Sequence, residues 1–162
     1  MTVAVGDKLP DVEVKVLAAD GTLAAVSTAD VLGSGKVVLF GVPGAFTPAC
    51  SKAHLPGFVA GADALAGKGV ATIACVAVND AWVLDAWADS QGAKGKITML
   101  ADGNGAFAEA MGLVFDGSAF GLGKRSLRYA AVIEDGVISR LEVEEQRSDV
   151  AVSSCENVLS GL

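Results

Sequence analysis

Hydrophobic residues in this chain follow two rhythms. Lys36 to Val42 and Val70 to Val78 are apolar almost throughout and read as strands buried on both faces. Val12 to Leu17 alternates and reads as a half-buried strand, with Asp20-Gly21 as a turn after it. Ser27 to Leu32 fits one helical turn, and Lys96 to Ala101 a further strand. Thr47 as N-cap and Pro48 as first helical residue open a helix to about Ala66. Pro56 lies inside it, removes the bond to the Lys52 carbonyl and predicts a kink. Asn79 or Asp80 caps a helix through Gln91, with Trp82, Val83, Ala86 and Trp87 on one face and both tryptophans in the core. Asp102 to Met111 reads as a short helix. Gly112 to Lys124 has no periodicity and reads as a loop with a short helix. Ser126 to Val132 and Val137 to Val143 form a hairpin around Glu134-Asp135-Gly136. A closing helix spans Asp149 to Leu159, capped by Ser148.

Parallel βαβ units followed by an antiparallel hairpin and a last helix predict an α/β fold: a mixed central sheet flanked by helices, thioredoxin-like with added elements. One domain over residues 1–162 is expected. No apolar run approaches the ~20 residues of a membrane span. Met1 to Lys8 lacks the basic start and apolar stretch of a signal peptide. An intracellular protein is expected, cytoplasmic or the mature form of an organellar one. The net charge of −7 and the lack of any basic run argue against nucleic acid or an anionic membrane as partner. The three cysteines, Cys50, Cys75 and Cys155, form no C-x-x-C pair and no disulfide scaffold, so reduced thiols are expected.

Cys50 carries the chemistry. It falls in the first turn of the helix opened by Thr47, where free N–H groups and the positive dipole end favour a thiolate. A free thiol is only a few per cent ionised at neutral pH, and holding one mostly ionised takes about 3–4 kcal/mol. A helix end supplies ~0.3–1 kcal/mol, or ~2 when partly buried, so a cation is needed. Arg128 is the best candidate: Leu127, Tyr129 and Ala131 alternate with Arg128, Ala130 and Val132, which sets an arginine at the rim of a central strand. Arg125 is the rival and is expected to face water. The Thr47 hydroxyl can donate to a bound oxygen. Thiolate, hydroxyl and guanidinium together suit attack on an O–O bond, leaving Cys50 as a sulfenic acid. His54, the only histidine, is at i+4 from Cys50. It reads as a packing or pocket-edge residue, with a Cys–His hydrolytic dyad as the competing enzyme reading. Cys50, His54 and Cys75 are too few ligands for a metal site. The Gly103-Asn-Gly105 segment lacks the acidic partner of a dinucleotide site and reads as a helix start. No metal or cofactor is expected.

The segment Pro43-Gly-Ala-Phe-Thr47-Pro-Ala-Cys50 matches the peroxiredoxin motif P-x-x-x-T-x-x-C. The longer run to Phe58, Cys75 to Asp80, and Arg125 to Tyr129 resemble the type II, or peroxiredoxin 5-like, subgroup. The resemblance implies a thiol peroxidase on a thioredoxin fold that reduces hydrogen peroxide and alkyl hydroperoxides. Cys50 would be the peroxidatic cysteine, Thr47 and Arg128 would activate the peroxide, and Pro43 would shield the pocket. It also implies a homodimer with contacts near the mouth, where Phe46 and Phe120 could contribute. The resolving step stays open. Cys75 resembles the second cysteine of plant-type members, but sits about 10 Å below the rim of its strand, and a disulfide needs Cα atoms within ~7 Å. The first turn of the Cys50 helix would have to unwind. Cys155 lies a few residues beyond the animal-type position and reads as a partly exposed bystander. Alternatively an external thiol donor, glutathione with glutaredoxin or thioredoxin, attacks Cys50 directly. A peroxide-sensing interaction module without turnover is the remaining alternative.

Overall fold

Parallel and antiparallel pairings build one sheet in a computed structural model that describes residues 1–162. The strands are β1 (Glu13–Leu17), β2 (Leu23–Ser27), β3 (Lys36–Val42), β4 (Val70–Ala77), β5 (Thr98–Ala101), β6 (Val114–Asp116), β7 (Lys124–Ser126), β8 (Tyr129–Glu134) and β9 (Val137–Val143). The helices are α1 (Thr28–Leu32), α2 (Leu55–Gly67), α3 (Ala81–Ser90), α4 (Ala106–Met111) and α5 (Cys155–Ser160). Seven strands form the main sheet in the order β2-β1-β5-β4-β3-β8-β9, and β6 pairs with β7 in a separate ribbon. β3, β4 and β5 are parallel; β8 joins β3 antiparallel. The expected mixed sheet flanked by helices is present. No helix is long and apolar enough to cross a membrane.

The apolar runs explain the layering. Alternate residues of β3, β4 and β8 point to opposite faces. Val38, Phe40, Cys75, Ala77, Ala130 and Val132 pack with α2, α3 and α5 on one face. Val37, Leu39, Ala74, Val76, Tyr129 and Ala131 pack with α1 and α4 on the other.

Several expectations are corrected. β2 was not anticipated; it pairs with β1 along its whole length. The segment from Gly112 to Lys124 holds a short 3-10 helix at Ser118–Phe120, as expected, but in place of a loop around it β6 and β7 close a ribbon. α4 starts only at Ala106, because Gly105 takes a left-handed conformation (φ 74°) that a continuing helix does not accept. Trp82 is 58% exposed rather than core. With Asp80 capping α3, the buried stripe runs Ala81, Leu84, Trp87 and Ala88, and Trp82 is rotated about 100° away from it. The last helix begins at Cys155, not at Asp149, since Ser154 is the cap.

Ahead of Pro56 the helix widens into a different turn. Cys50–His54 forms a π turn, with the Leu55 N–H bonded to the Cys50 carbonyl. The extra residue in that turn makes room for the proline ring, which in an α-helix would clash with the carbonyl four residues back.

The pairing of Gly41 with Tyr129 places the site. It sets the end of β3 against the start of β8, so the loop after Val42 and the side chain of Arg128 meet at one rim. Only glycine fits there: a Cβ on Gly41 would lie 2.3 Å from the Tyr129 ring. Gly41→Ala should destabilise the fold by about 2–3 kcal/mol through overpacking. Urea unfolding that leaves the midpoint unchanged would contradict this account of the rim.

Candidate active site

Cys50 is fully buried at the start of the π turn, beneath the loop that follows β3. Its sulfur has two polar neighbours. The Thr47 hydroxyl lies 3.0 Å from Sγ and the Arg128 Nη2 lies 3.1 Å from it. Sequence spacing placed Thr47 one turn before Cys50, and the structure brings the distant Arg128 to the same atom. Thr47 caps the helix through its backbone, since its carbonyl accepts from Ser51 N–H at 3.0 Å. Its side chain is reserved for the site. The hydroxyl also lies 2.5 Å from the Gly44 carbonyl. It has one hydrogen, so it can donate to that carbonyl when it faces a thiol and to sulfur when it faces a thiolate.

Arg128 is 2% exposed and has no carboxylate within 4.0 Å. Each edge of its guanidinium has an acceptor: Nε donates to the Arg147 carbonyl (2.8 Å), Nη1 to His54 Nδ1 (2.9 Å) and Nη2 to Cys50 Sγ. A buried cation is costly unless paired, and the one group among these acceptors able to take a full negative charge is the cysteine. Arg125 does not reach the sulfur. Its Nε donates to the Leu122 carbonyl, and its guanidinium rests against the backbone of Gly44, half-buried rather than free in water.

His54 is fully buried and both ring nitrogens are engaged. Nδ1 accepts from Arg128, so Nε2 carries the hydrogen and donates to the Ser153 carbonyl at 2.9 Å. Burial, and then the Arg128 charge, push its pKa down to about 3, against the Ser153 bond. The Cys–His dyad is thereby overturned: an imidazole that accepts from a guanidinium cannot take a proton from sulfur. His54 is a positioning residue for Arg128.

A second set of residues was not legible in the sequence. Glu144 lies opposite Arg128, its N–H bonded to the Arg128 carbonyl. Its carboxylate accepts from Ala151 N–H (2.6 Å), Ser153 N–H (2.9 Å) and the Ser153 hydroxyl (2.9 Å). Burial raises its pKa, but these Ser153 and Ala151 bonds, with Arg128, hold it below the usual range. The carboxylate thus shapes the loop between β9 and α5, which is why no helix forms from Asp149. That loop presents the Arg147 and Ser153 carbonyls to Arg128 and His54. Trp87 Nε1 donates to Ser51 Oγ at 2.9 Å and ties α3 to the π turn. Asn79 Oδ1 accepts from Ala45 N–H and pins the loop in which Phe46 is left-handed (φ 63°).

Above the sulfur is a pocket of 560 Å3 whose lining includes Pro43, Thr47 and Arg128. Cys75 and Cys155 do not reach it. Cys75 faces the α2 layer from the middle of β4 and is fully buried; burial raises its pKa well above the ordinary value, and so does Cys50 nearby. Cys155 is not the exposed bystander expected. It is 5% exposed, packed against Gly61 of α2, and burial raises its pKa too. All three cysteines are free thiols.

A family profile described as Redoxin matches residues 4–159. The rice (Oryza sativa subsp. japonica) protein Peroxiredoxin-2E-2, chloroplastic, is 47% identical over 99% of this chain and 73% of its own length. Reduced Prx3 from Vibrio vulnificus, solved in complex with h2o2, superposes with a TM-score of 0.93 at 44% identity, covering 99% of each chain. Peroxiredoxin 5 from Alvinella pompejana gives a TM-score of 0.85 at 34% identity, covering 98% of this chain and 96% of its own.

The buried imidazole makes stability pH-dependent. An unfolded histidine titrates near ~6.5, so between that value and about 3 the unfolded chain binds more protons than the folded one. The contribution is complete above pH ~6.5 and is lost as pH falls, by up to ~1.4 kcal/mol per pH unit. In His54→Gln the amide oxygen can accept from Arg128 and the amide NH2 can donate to Ser153. Urea midpoints measured from neutral to mildly acidic pH should fall less steeply in this variant, and parallel curves would refute the assignment.

Proposed function

This chain belongs to the redoxin family and is a peroxiredoxin, a thiol peroxidase, and on that premise we propose that it reduces hydrogen peroxide and alkyl hydroperoxides with Cys50 as its peroxidatic cysteine, activated by Thr47 and Arg128 under Pro43. The observation that carries the reading is the 3.1 Å contact between Cys50 Sγ and a buried guanidinium with no carboxylate partner. Such a cation favours the thiolate, and the thiolate in turn balances its charge.

The thiolate attacks the terminal oxygen of the hydroperoxide. An S–O bond forms as the O–O bond breaks, and two electrons pass from sulfur to the peroxide. The leaving alkoxide or hydroxide takes a proton and departs as alcohol or water; Cys50 is left as a sulfenic acid. The Thr47 hydroxyl and Arg128 N–H groups face the oxygens on which charge develops. A reducing thiol then attacks the sulfenic sulfur, expelling water and forming a disulfide, and a second thiol releases Cys50 in its reduced form.

Stopped-flow peroxide consumption by the reduced protein tests the roles. Cys50→Ser should abolish it. Arg128→Ala should slow it by about 10²–10³, the range for loss of one preorganised donor; it should also slow alkylation of Cys50 at neutral pH. Unchanged rates in either variant would end the reading.

For recycling, the burial of Cys75 and Cys155 as neutral thiols favours an external donor, glutathione with glutaredoxin or thioredoxin, over an internal disulfide. Intact mass after one equivalent of peroxide should show the same dimedone-trapped sulfenic acid in the wild type, Cys75→Ser and Cys155→Ser. An internal disulfide that disappears in one serine variant would instead name the resolving residue. The same reading includes a homodimer formed near the mouth, where Phe46 and Phe120 are 56% and 58% exposed. It also includes an intracellular compartment, cytoplasmic or organellar, in which thiols stay reduced.

A further inference from the structure

The pocket is larger than its smallest substrate requires. Hydrogen peroxide is little bigger than water, whose share of liquid volume is ~30 Å3. A volume of 560 Å3 falls within the range of about 300–1,000 Å3 that holds larger organic ligands. Pro48, Phe120 and Leu122 give it apolar walls, and Lys52 and Arg147 add two positive charges beside Arg128.

That charge pattern runs against the rest of the molecule. The chain has 19 acidic residues against 12 basic ones, yet no Asp or Glu lines the pocket. Lys52 and Arg147 are both exposed, and neither has a carboxylate within 4.0 Å. Glu145 and Asp149 flank Arg147 in sequence but neither pairs with it. Arg147 is also held in place. Its guanidinium stacks 3.8 Å from the centroid of Phe120 and 5.1 Å from that of Phe115, and its carbonyl accepts from Arg128. A fixed, unpaired cation at the mouth is therefore coupled to the arginine that holds the sulfur.

We propose that this mouth selects organic hydroperoxides bearing a carboxylate. The O–O end passes between Thr47 and Arg128 to Cys50, the hydrocarbon body lies along Phe120 and Leu122, and the carboxylate meets Lys52 and Arg147. The bond changes are those given above, and the carboxylate takes no part in them. The inference rests on Cys50 as the peroxidatic residue. A hydroperoxide suits the pocket better than a carboxylated thiol, because in this conformation the sulfur lies under a floor of Thr47 and Arg128. A slender peroxide end can pass that floor, whereas a thiol must approach an uncovered sulfur in line with the S–O bond.

The test is single-turnover stopped flow with the full chain, using a medium-chain hydroperoxy carboxylic acid, its methyl ester and hydrogen peroxide. The acid should react about five-fold faster than the ester at low ionic strength, as two exposed ion pairs allow. High salt should bring the ratio towards one, and so should the double variant Lys52→Gln/Arg147→Gln. A ratio of one in the wild type, or one that persists in the double variant, overturns the inference while hydrogen peroxide reduction through Cys50 leaves the peroxidase reading standing. Loss of hydrogen peroxide reduction in the wild type would overturn both.

Discussion

A guanidinium buried without a carboxylate is the constraint around which this end of the molecule is built. Arg128 would be costly in the interior unless each of its donors found an acceptor and its charge a counterpart. A backbone carbonyl, a neutral imidazole and a sulfur supply the acceptors. Only the sulfur can become an anion in place. The need to balance the arginine and the need to activate the cysteine are the same electrostatic fact seen from two sides.

The holding network runs in one direction. Glu144 shapes the loop before α5, the loop presents two carbonyls, His54 and Arg147 pass the restraint to Arg128, and Arg128 meets Cys50. His54 serves by staying neutral and accepting from Arg128, which explains why a histidine four residues from Cys50 is no general base. Replacing it with a cation would set two positive charges against each other in a buried site.

The two partners stand on different supports. Arg128 leads into β8, a strand paired along both sides, with β3 and with the edge strand β9. Cys50 stands on a π turn, a rare geometry that interrupts the α-helical pattern before α2. The guanidinium beside the sulfur is thus anchored by a strand paired on both sides. The backbone carrying the sulfur is held by the Leu55 bond, the Ser51 N–H to the Thr47 carbonyl and the Trp87–Ser51 contact.

Local chemistry was legible in the chain itself. Apolar runs marked β3 and β4, the Asp-Gly turn marked the last hairpin, and Thr47-Pro48 placed Cys50 at a helix start; alternation along β8 pointed to Arg128. These are properties of neighbouring residues, set by steric and burial preferences that act over one or two turns. The supporting shell was not legible, because it depends on register. Ser139 is an extra residue where β9 shifts against β8 between Ile133–Ile138 and Val132–Arg140, and this one-residue shift brings Glu144 opposite Arg128. Without it, Val143 would stand there, and no carboxylate would organise the loop that orients His54 and Arg128. Sequence by itself set Cys50 at a helix start and marked the buried strands beneath it; only the folded register decided which distant groups hold the charge beside its sulfur, because a bulge is set by packing across strands and leaves no periodic mark along one.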